Sequence, residues 1–317
     1  VAWAGDRAGQ HEQQQVMERR GPNAVPVPAE LVAAVPGAAV LAVHFAPVGE
    51  ELLAAAGDLR LVAVARAGLE NVDLAAASRH DVAVVGVRGR NAGAVAELQL
   101  GLMLAESRNI ARADASVKAG GWRKDFPGAR IEIAGRTVGT IGLGHVGRQF
   151  ARRLRGFEAR QLGYDPYVGD DRFAEYGVTR AATLDEVFAG SDFVVVQARH
   201  TAETDRFIGA AQFARMRPDA YFINVARSRL VDTDALYGAV SSGAIAGAGL
   251  DVHDDEPLAA DNRFRHLDNV TLTTHFGGDT EETNQRSTTL VADAVAEYLS
   301  TGRVAGAANA ADLGWPT

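Results

Sequence analysis

Cysteine is absent from the 317 residues. Disulfides, thiolate nucleophiles and cysteine-ligated metals are thereby excluded. Zinc held by His and carboxylates stays chemically open, but no HExxH pair occurs, and no metal site is expected. Long apolar runs are also missing. The longest, "LVAAVPGAAVLAV" from Leu31 to Val43, is broken by Pro36 and Gly37 and is too short to cross a bilayer. No basic-then-apolar leader opens the chain. Positive charge is in deficit: 32 Lys and Arg against 40 Asp and Glu leave a net charge of −8. That balance argues against nucleic acid or an anionic membrane as the main partner. A cytoplasmic protein is the expectation.

What is present is alternation. Apolar content of 47% suits a well-buried globular protein, and the length exceeds the roughly 250–300 residues that one core supports, so two domains are predicted. Short apolar runs alternate with helical stretches, the pattern of parallel sheets covered by helices. In the first third, strands are predicted at Val1–Ala4, Ala38–His44, Arg60–Ala65 and Val82–Val87, with helices at Glu50–Ala56 and Asp73–Ser78. A long helix is predicted from Ala92 to Ala119, because Val95, Leu98, Leu102 and Ala105 keep helical spacing. A second series follows, with strands at Arg136–Ile141, Arg160–Tyr164, Phe193–Gln197, Ala220–Val225, Ala246–Val252 and Val270–Thr274. Thr183 and Glu186 form a capping-box pattern. A tail helix runs from Glu281 to Leu299. The predicted fold is α/β, with two Rossmann-like or flavodoxin-like doubly wound parallel-sheet domains. A nucleotide domain (98–285) is inserted into a domain built from 1–97 and 286–317. The chain ends soon after the tail helix, which predicts no additional regulatory domain.

The stretch "TIGLGHVGRQ" places Gly142, Gly144 and Gly147 after an apolar strand and before a helix. In such a turn the first glycine permits a tight bend, the second lets backbone approach a pyrophosphate, and the third lets helix and strand pack closely. The helix N-terminus offers unpaired N–H groups to phosphates. Asp165 ends the next strand, where a carboxylate can accept the ribose hydroxyls of NAD and repel a 2′-phosphate. Pro166 and Tyr167 follow, with no adjacent Arg to welcome NADP. An ordinary glycine turn with Asp165 as a helix cap is the alternative.

Three polar residues follow later apolar runs: Arg227 in "INVARSRLVD", Glu256 in "GLDVHDDEP" and His275 in "LTTHFGG". They suit reversible hydride transfer to a 2-oxo acid. A forked guanidinium holds a carboxylate and a carbonyl. An imidazole donates the proton to the new alkoxide. A neighbouring carboxylate orients that imidazole and favours its charged form. Taken singly, each has a bland alternative: a core histidine, a surface ion pair, a solvated acidic loop.

The ordered set of segments resembles the D-isomer-specific 2-hydroxyacid dehydrogenases, the group that includes D-lactate, glyoxylate/hydroxypyruvate and D-3-phosphoglycerate dehydrogenases. "GLENVDLAAASRHDVAV", "GRNAGAVAELQLGLMLAESRNI", "GRTVGTIGLGHVGRQFARRL", "INVARSRLVD", "GLDVHDDEP" and "LTTHFGG" follow in family order over nearly the whole chain. The resemblance implies an NAD(H)-dependent enzyme interconverting a 2-oxo acid and its D-2-hydroxy acid. It puts Arg227, Glu256 and His275 at the catalytic positions. It implies cofactor contacts at Gly142, Gly144, His145, Val146, Gly147, Tyr164, Asp165, Pro166, Gln197, Ala198, Arg199, Thr201, Val225 and Ala226, and at Asp251, Gly277 and Gly278 beside the nicotinamide. Substrate contacts are implied at the backbone of Ala67 and Gly68, together with Arg227 and His275. It also implies a homodimer paired through the nucleotide domain. Departures from the family pattern are Ser228 where Gly is common, Thr274 where Pro precedes the histidine, and Gln197-Ala198-Arg199-His200-Thr201 where His-x-Pro-Leu-Thr is usual.

Arg66, Arg88 and Arg90 fall near strand ends of the first domain and suggest a second anionic group on the substrate, such as phosphate, phosphonate or carboxylate. Arg123 and Lys124 are further candidates from a loop, and solvated surface charge is the alternative for all five. Two other functions stay open. A formate dehydrogenase shares the fold but is expected to carry an amide in place of Glu256. An NADH-sensing binding protein of co-repressor type can keep all three polar residues.

Overall fold

The computed structural model describes residues 7–126 and 130–315; the strand predicted at Val1–Ala4 lies outside them. The chain divides into two compact units, Val1–Arg90 with Glu281–Thr317, and Asn91–Thr280. Unit 1 contains α1 (Arg7–Arg20), a 3₁₀ turn (Pro22–Ala24), α2 (Ala29–Ala34), β1 (Val40–Val43), α3 (Glu50–Ala55), β2 (Leu61–Val64), α4 (Leu74–Arg79) and β3 (Ala83–Gly86). Unit 2 opens with α5 (Ala92–Arg108) and α6 (Ile110–Lys118), then β4 (Thr137–Ile141), α7 (His145–Leu154), β5 (Arg160–Tyr164), α8 (Asp170–Tyr176), β6 (Thr179–Arg180) and α9 (Leu184–Gly190). It continues with β7 (Phe193–Val196), α10 (Ala210–Phe213), β8 (Tyr221–Asn224), α11 (Thr233–Ser241), β9 (Gly247–Leu250) and β10 (Val270–Leu272). The last helix, α12 (Glu281–Thr301), belongs to unit 1. Among the described residues no helix is long and apolar enough to cross a membrane.

In unit 1 three parallel strands lie in the order β1-β2-β3. All four residues of β2 are buried, as expected for an apolar strand covered on both faces. One face packs Val62, Val64 and Val84 against Leu31, Leu52, Leu53 and Ala76 from α2, α3 and α4. The other packs Leu61, Ala63, Ala83 and Val85 against Val291, Ala294, Val295 and Tyr298 of α12. The apolar stripe of the tail helix therefore covers unit 1. Asp73 caps α4 by accepting the Ala76 N–H at 2.9 Å, which fixes the start of that helix.

In unit 2 seven parallel strands run in the order β10-β9-β8-β7-β4-β5-β6. From β4 the chain winds outward first through β5 and β6, then in the opposite direction through β7 to β10. The order reverses between β4 and β7, the place where open parallel sheets bind ligands beyond their carboxyl ends. One face is covered by α5 and α7 through Val95, Met103, Phe150 and Leu154. The other is covered by α9, α10 and α11 through Val187, Phe213, Leu236 and Val240.

The single helix predicted over 92–119 is two helices. Asn109 adopts φ 55° and ψ 35°, the left-handed conformation that Asn tolerates better than most residues, and the chain turns there into α6. The capping box is half-formed: Thr183 accepts the Glu186 N–H at 3.2 Å, but Glu186 reaches back to Ala182 N at 2.8 Å rather than to Thr183.

Candidate active site

All the strands of unit 2 are parallel, so the segments leaving β4, β5, β7, β8, β9 and β10 share one edge of the sheet. Every cofactor position expected in the sequence falls on those segments, on the first turn of α7 or, for Tyr164, at the last residue of β5. Ile141 hands over to a turn in which Gly142 has φ 95°. A β-carbon there would lie 2.8 Å from Ala198 N, and one on Gly147 would lie 2.6 Å from the Gly142 carbonyl. Gly144, by contrast, faces open space and is the N-cap of the ten-residue helix α7, with His145 and Val146 in its first turn. The turn is thus packed tightly on its inner side and bare on its outer side, with the helix N–H groups behind it. That shape fits a pyrophosphate laid over backbone.

Asp165 follows Tyr164, the last residue of β5. Its Oδ2 accepts the Leu143 N–H at 2.8 Å and its Oδ1 accepts the Tyr167 N–H at 2.9 Å, across Pro166. The carboxylate is fixed against the glycine turn, and each oxygen keeps a lone pair for a ribose hydroxyl. On the other side of β4, Ala198 packs its backbone on Gly142. Arg199 is exposed and its carbonyl accepts Thr204 Oγ1 at 2.8 Å, while Thr201 N donates to the same hydroxyl at 2.8 Å. The Gln197 amide faces inward: its Nε2 donates to Gln99 Oε1 of α5 at 3.0 Å. Its Oε1 is buried without a hydrogen-bond partner, directly beneath Gly147.

Gly147→Ala is expected to disturb this turn more than any surface change. Its β-carbon would meet backbone at 2.6 Å, and overpacking of this kind costs ~1–3 kcal/mol. If the turn shifts to relieve it, the NADH dissociation constant rises by roughly 10- to 100-fold. Titration of NADH fluorescence measures this, and unchanged affinity would show that the turn does not carry the cofactor.

The three polar residues leave neighbouring strands. After β8, Val225 and Ala226 lead to Arg227, which is exposed and extended at φ −146°, ψ 141°. Asn224, 2% exposed at the end of β8, accepts the Ala226 N–H and donates to the Arg227 carbonyl, both at 3.0 Å. The Arg227 guanidinium donates to the Ala226 carbonyl at 2.7 Å. Ser228 begins a 3₁₀ turn with negative φ, so a side chain in place of the usual glycine carries no backbone strain.

After β9 and β10 the acid and the imidazole meet. Glu256 Oε2 lies 2.7 Å from His275 Nδ1, and Glu256 Oε1 accepts the His253 N–H at 3.0 Å. The Glu256 side chain is 7% exposed and that of His275 28%. Burial is the largest influence on the Glu256 carboxyl and pushes it up. The hydrogen bond to His275 and its charge, with the His253 N–H, outweigh burial, so the carboxyl is held below its ordinary range. His275 itself has φ 55°. Asp251, 1% exposed, holds that unusual backbone on both sides. Its Oδ1 accepts Thr273 Oγ1 at 2.6 Å and the Phe276 N–H at 3.2 Å, and its Oδ2 accepts the Gly277 N–H at 2.9 Å. Gly278 packs on the Asn91 side chain. Sequence reasoning missed Asn224, His253 and Thr273. For Asn224 the available signal was a polar residue closing the apolar run "YFIN".

In unit 1, Arg66 and Arg90 follow β2 and β3, so they share that sheet's carboxyl edge with Ala67 and Gly68. Arg66 is buried, with its guanidinium 4.4 Å from the Phe45 ring centre and 3.9 Å from Glu18. Arg90 Nη1 donates to Ser287 Oγ at 3.0 Å, and Arg88 is exposed. Arg123 is engaged elsewhere, in a bidentate pair with Asp268.

Residues 100–277 match the family model for D-isomer specific 2-hydroxyacid dehydrogenase, NAD binding domain. The chain is 41% identical over 236 residues to D-3-phosphoglycerate dehydrogenase of Archaeoglobus fulgidus, covering 74% of this chain and 44% of that protein. It is 42% identical over 268 residues to D-3-phosphoglycerate dehydrogenase of Mycobacterium leprae, covering 84% and 50%. It therefore spans about half the length of these curated relatives. Among solved structures, the TT0316 protein of Thermus thermophilus aligns with a TM-score of 0.74 at 29% identity, over 89% of this chain and 90% of that one. Unit 2 carries the NAD-binding fold, and the chain belongs to the D-isomer specific 2-hydroxyacid dehydrogenase family.

Proposed function

We propose that the chain is an NAD(H)-dependent oxidoreductase that interconverts a 2-oxo acid and its D-2-hydroxy acid, with a substrate that carries a second anionic group. The observation that carries this reading is the 2.7 Å contact between His275 and Glu256, on the same sheet edge as the glycine turn and the Arg227 loop. Nicotinamide, when bound, supplies the hydride for C2. His275 gives its Nε2 proton to the oxygen on C2 and takes it back in the reverse direction. Glu256, facing Nδ1, keeps the ring oriented so that Nε2 points to the substrate oxygen. Arg227, its backbone pinned by Asn224, holds the substrate carboxylate and carbonyl. Asp165 selects NAD over NADP by charge.

The substrate role falls to unit 1, through Arg66, the backbone of Ala67 and Gly68, and Arg90. The names of the Archaeoglobus and Mycobacterium relatives agree with a phosphate-bearing substrate. The exposed Ile110 and Val117 of α6, with Trp122 beyond it, support a homodimer formed through unit 2. An acidic, cysteine-free chain suits the cytoplasm.

NADH oxidation with a panel of 2-oxo acids, plain and phosphate- or phosphonate-bearing, tests the reading. Arg90→Ala removes a charge-assisted contact worth ~1.5–3 kcal/mol, so kcat/KM for the doubly anionic acids falls roughly 10- to 150-fold, while pyruvate-like acids are spared. Equal losses on both classes would count against a second anion site. Tight NADH binding without turnover of any acid would favour an NADH-sensing binding protein instead.

A further inference from the structure

Beyond the last ladder bond, Thr273 N–H to Leu250 O at 2.9 Å, the segments leaving β9 and β10 are irregular. Their register depends on side chains. Asp251 gathers Thr273, Phe276 and Gly277, as described above. A second tie comes from His253, whose Nε2 lies 2.8 Å from the Thr273 carbonyl oxygen. A carbonyl only accepts, so Nε2 carries the proton. The same residue's backbone N–H donates to Glu256 Oε1. One residue therefore grips both partners of the dyad: the carboxylate through its main chain, and the strand end two residues before His275 through its ring.

We propose that His253 is a positioning residue that sets the distance and angle between Glu256 and His275. The proposal rests on reading that pair as the acid–base couple. The need for such a tie follows from His275. A non-glycine residue at φ 55° sits in a sparsely populated region and persists only where its surroundings over-determine it. Asp251 fixes the backbone after His275 and the Thr273 side chain before it. The Thr273 carbonyl is left to His253. Without the ring N–H, that peptide can rotate, and the imidazole two residues on loses its alignment with a carboxylate that His253 N–H still holds in place.

The test uses the full chain with 15N-labelled histidine. In the wild type a downfield proton resonance from His275 Nδ1–H, assigned by its loss in His275→Asn, reports the contact with Glu256 without cofactor or substrate. His253→Leu removes the ring donor and keeps bulk; His253→Asn, too short to reach Thr273, replaces it if the leucine variant does not fold. Either variant is expected to lose or shift the resonance and to lower kcat roughly 10- to 100-fold, the scale of a small misplacement of reacting groups, with NADH affinity unchanged. His253→Gln, which offers an N–H without an ionisable ring, is expected to restore both. A resonance and kcat that survive in folded His253→Leu, or a folded glutamine variant that rescues neither, would overturn the proposal. If the wild type turns over no 2-oxo acid, the functional reading fails, and the resonance alone still decides whether His253 sets the pair.

Discussion

On the proposed mechanism, replacing His275 with Asn is expected to lower kcat for 2-oxo acid reduction by about 10²–10⁴-fold, the range that a positioned acid–base group contributes, with a much smaller effect on NADH binding. The amide keeps approximate size and can still hydrogen-bond to Glu256, but it cannot deliver a proton at neutral pH. Because His275 follows β10 while the glycine turn and Asp165 follow β4 and β5, the pyrophosphate and ribose contacts are expected to survive the change. Glu256→Gln is expected to be milder, since the amide retains an oxygen that accepts the Nδ1 proton of His275 while losing the carboxylate charge that strengthens the contact. The pH dependence follows from the Glu256 carboxyl, which is held below its ordinary range. A lowered folded pKa means that its stabilisation is fully present above the ordinary carboxylate value and is lost as pH falls through the lowered value. The His275–Glu256 contact therefore persists through the neutral range and fails only in acid below the usual carboxylate titration. Steady-state NADH oxidation over pH, with both variants, measures this. A His275→Asn variant that keeps wild-type kcat would remove His275 from the chemistry.

Much of this geometry was legible because the parallel strands announce themselves. β7 is "FVVV", with every residue buried, and a run of that kind between polar turns has little alternative to a covered strand. The glycine spacing and Asp165 were legible for a related reason: their partners are close in space to a turn whose shape the sequence itself dictates. The helix α1 was not legible, because "RAGQHEQQQVMERR" has no apolar stripe to give it a period. The break at Asn109 was hidden by apolar residues that keep helical spacing on both sides of it. Gln197 shows a different limit. Its position on the cofactor edge follows from the strand, but the direction of its amide, toward Gln99 98 residues away in sequence, depends on packing that no local pattern encodes. His253 is similar: its ring partner is 20 residues away and is a backbone carbonyl, which every residue possesses.

Removing the Glu106 carboxylate is expected to cause the largest stability loss of any single polar substitution in unit 2. Glu106 lies in the last turns of α5 and is 1% exposed. Across the left-handed Asn109, Arg112 of α6 returns its guanidinium to that carboxylate, donating from Nη2 at 3.1 and 2.9 Å, with Nε directed to the Asp268 carbonyl. The Arg112 side chain is 8% exposed. A β-carbon on Gly247, at the start of β9, would fall 2.7 Å from Glu106 Oε2, so the sheet leaves room for the acid and for little else. Glu106→Ala strands the guanidinium in that setting, and breaking one side of a buried pair costs ~3–5 kcal/mol. Replacing both partners with Leu is expected to recover most of the loss, because the desolvation of two charges is removed along with their attraction. The carboxyl also carries a pH signature. Burial is the dominant influence and raises it, with Arg112 opposing. A raised folded pKa contributes stability that is fully present below the unfolded carboxylate value and is lost as pH rises through the raised one. The wild type therefore loses stability relative to Glu106→Gln across that interval. Urea unfolding followed by far-ultraviolet circular dichroism, at several pH values, reads both effects. An alanine variant as stable as the wild type would mean that the α5–α6 turn is held by apolar packing and that the ion pair is incidental to it.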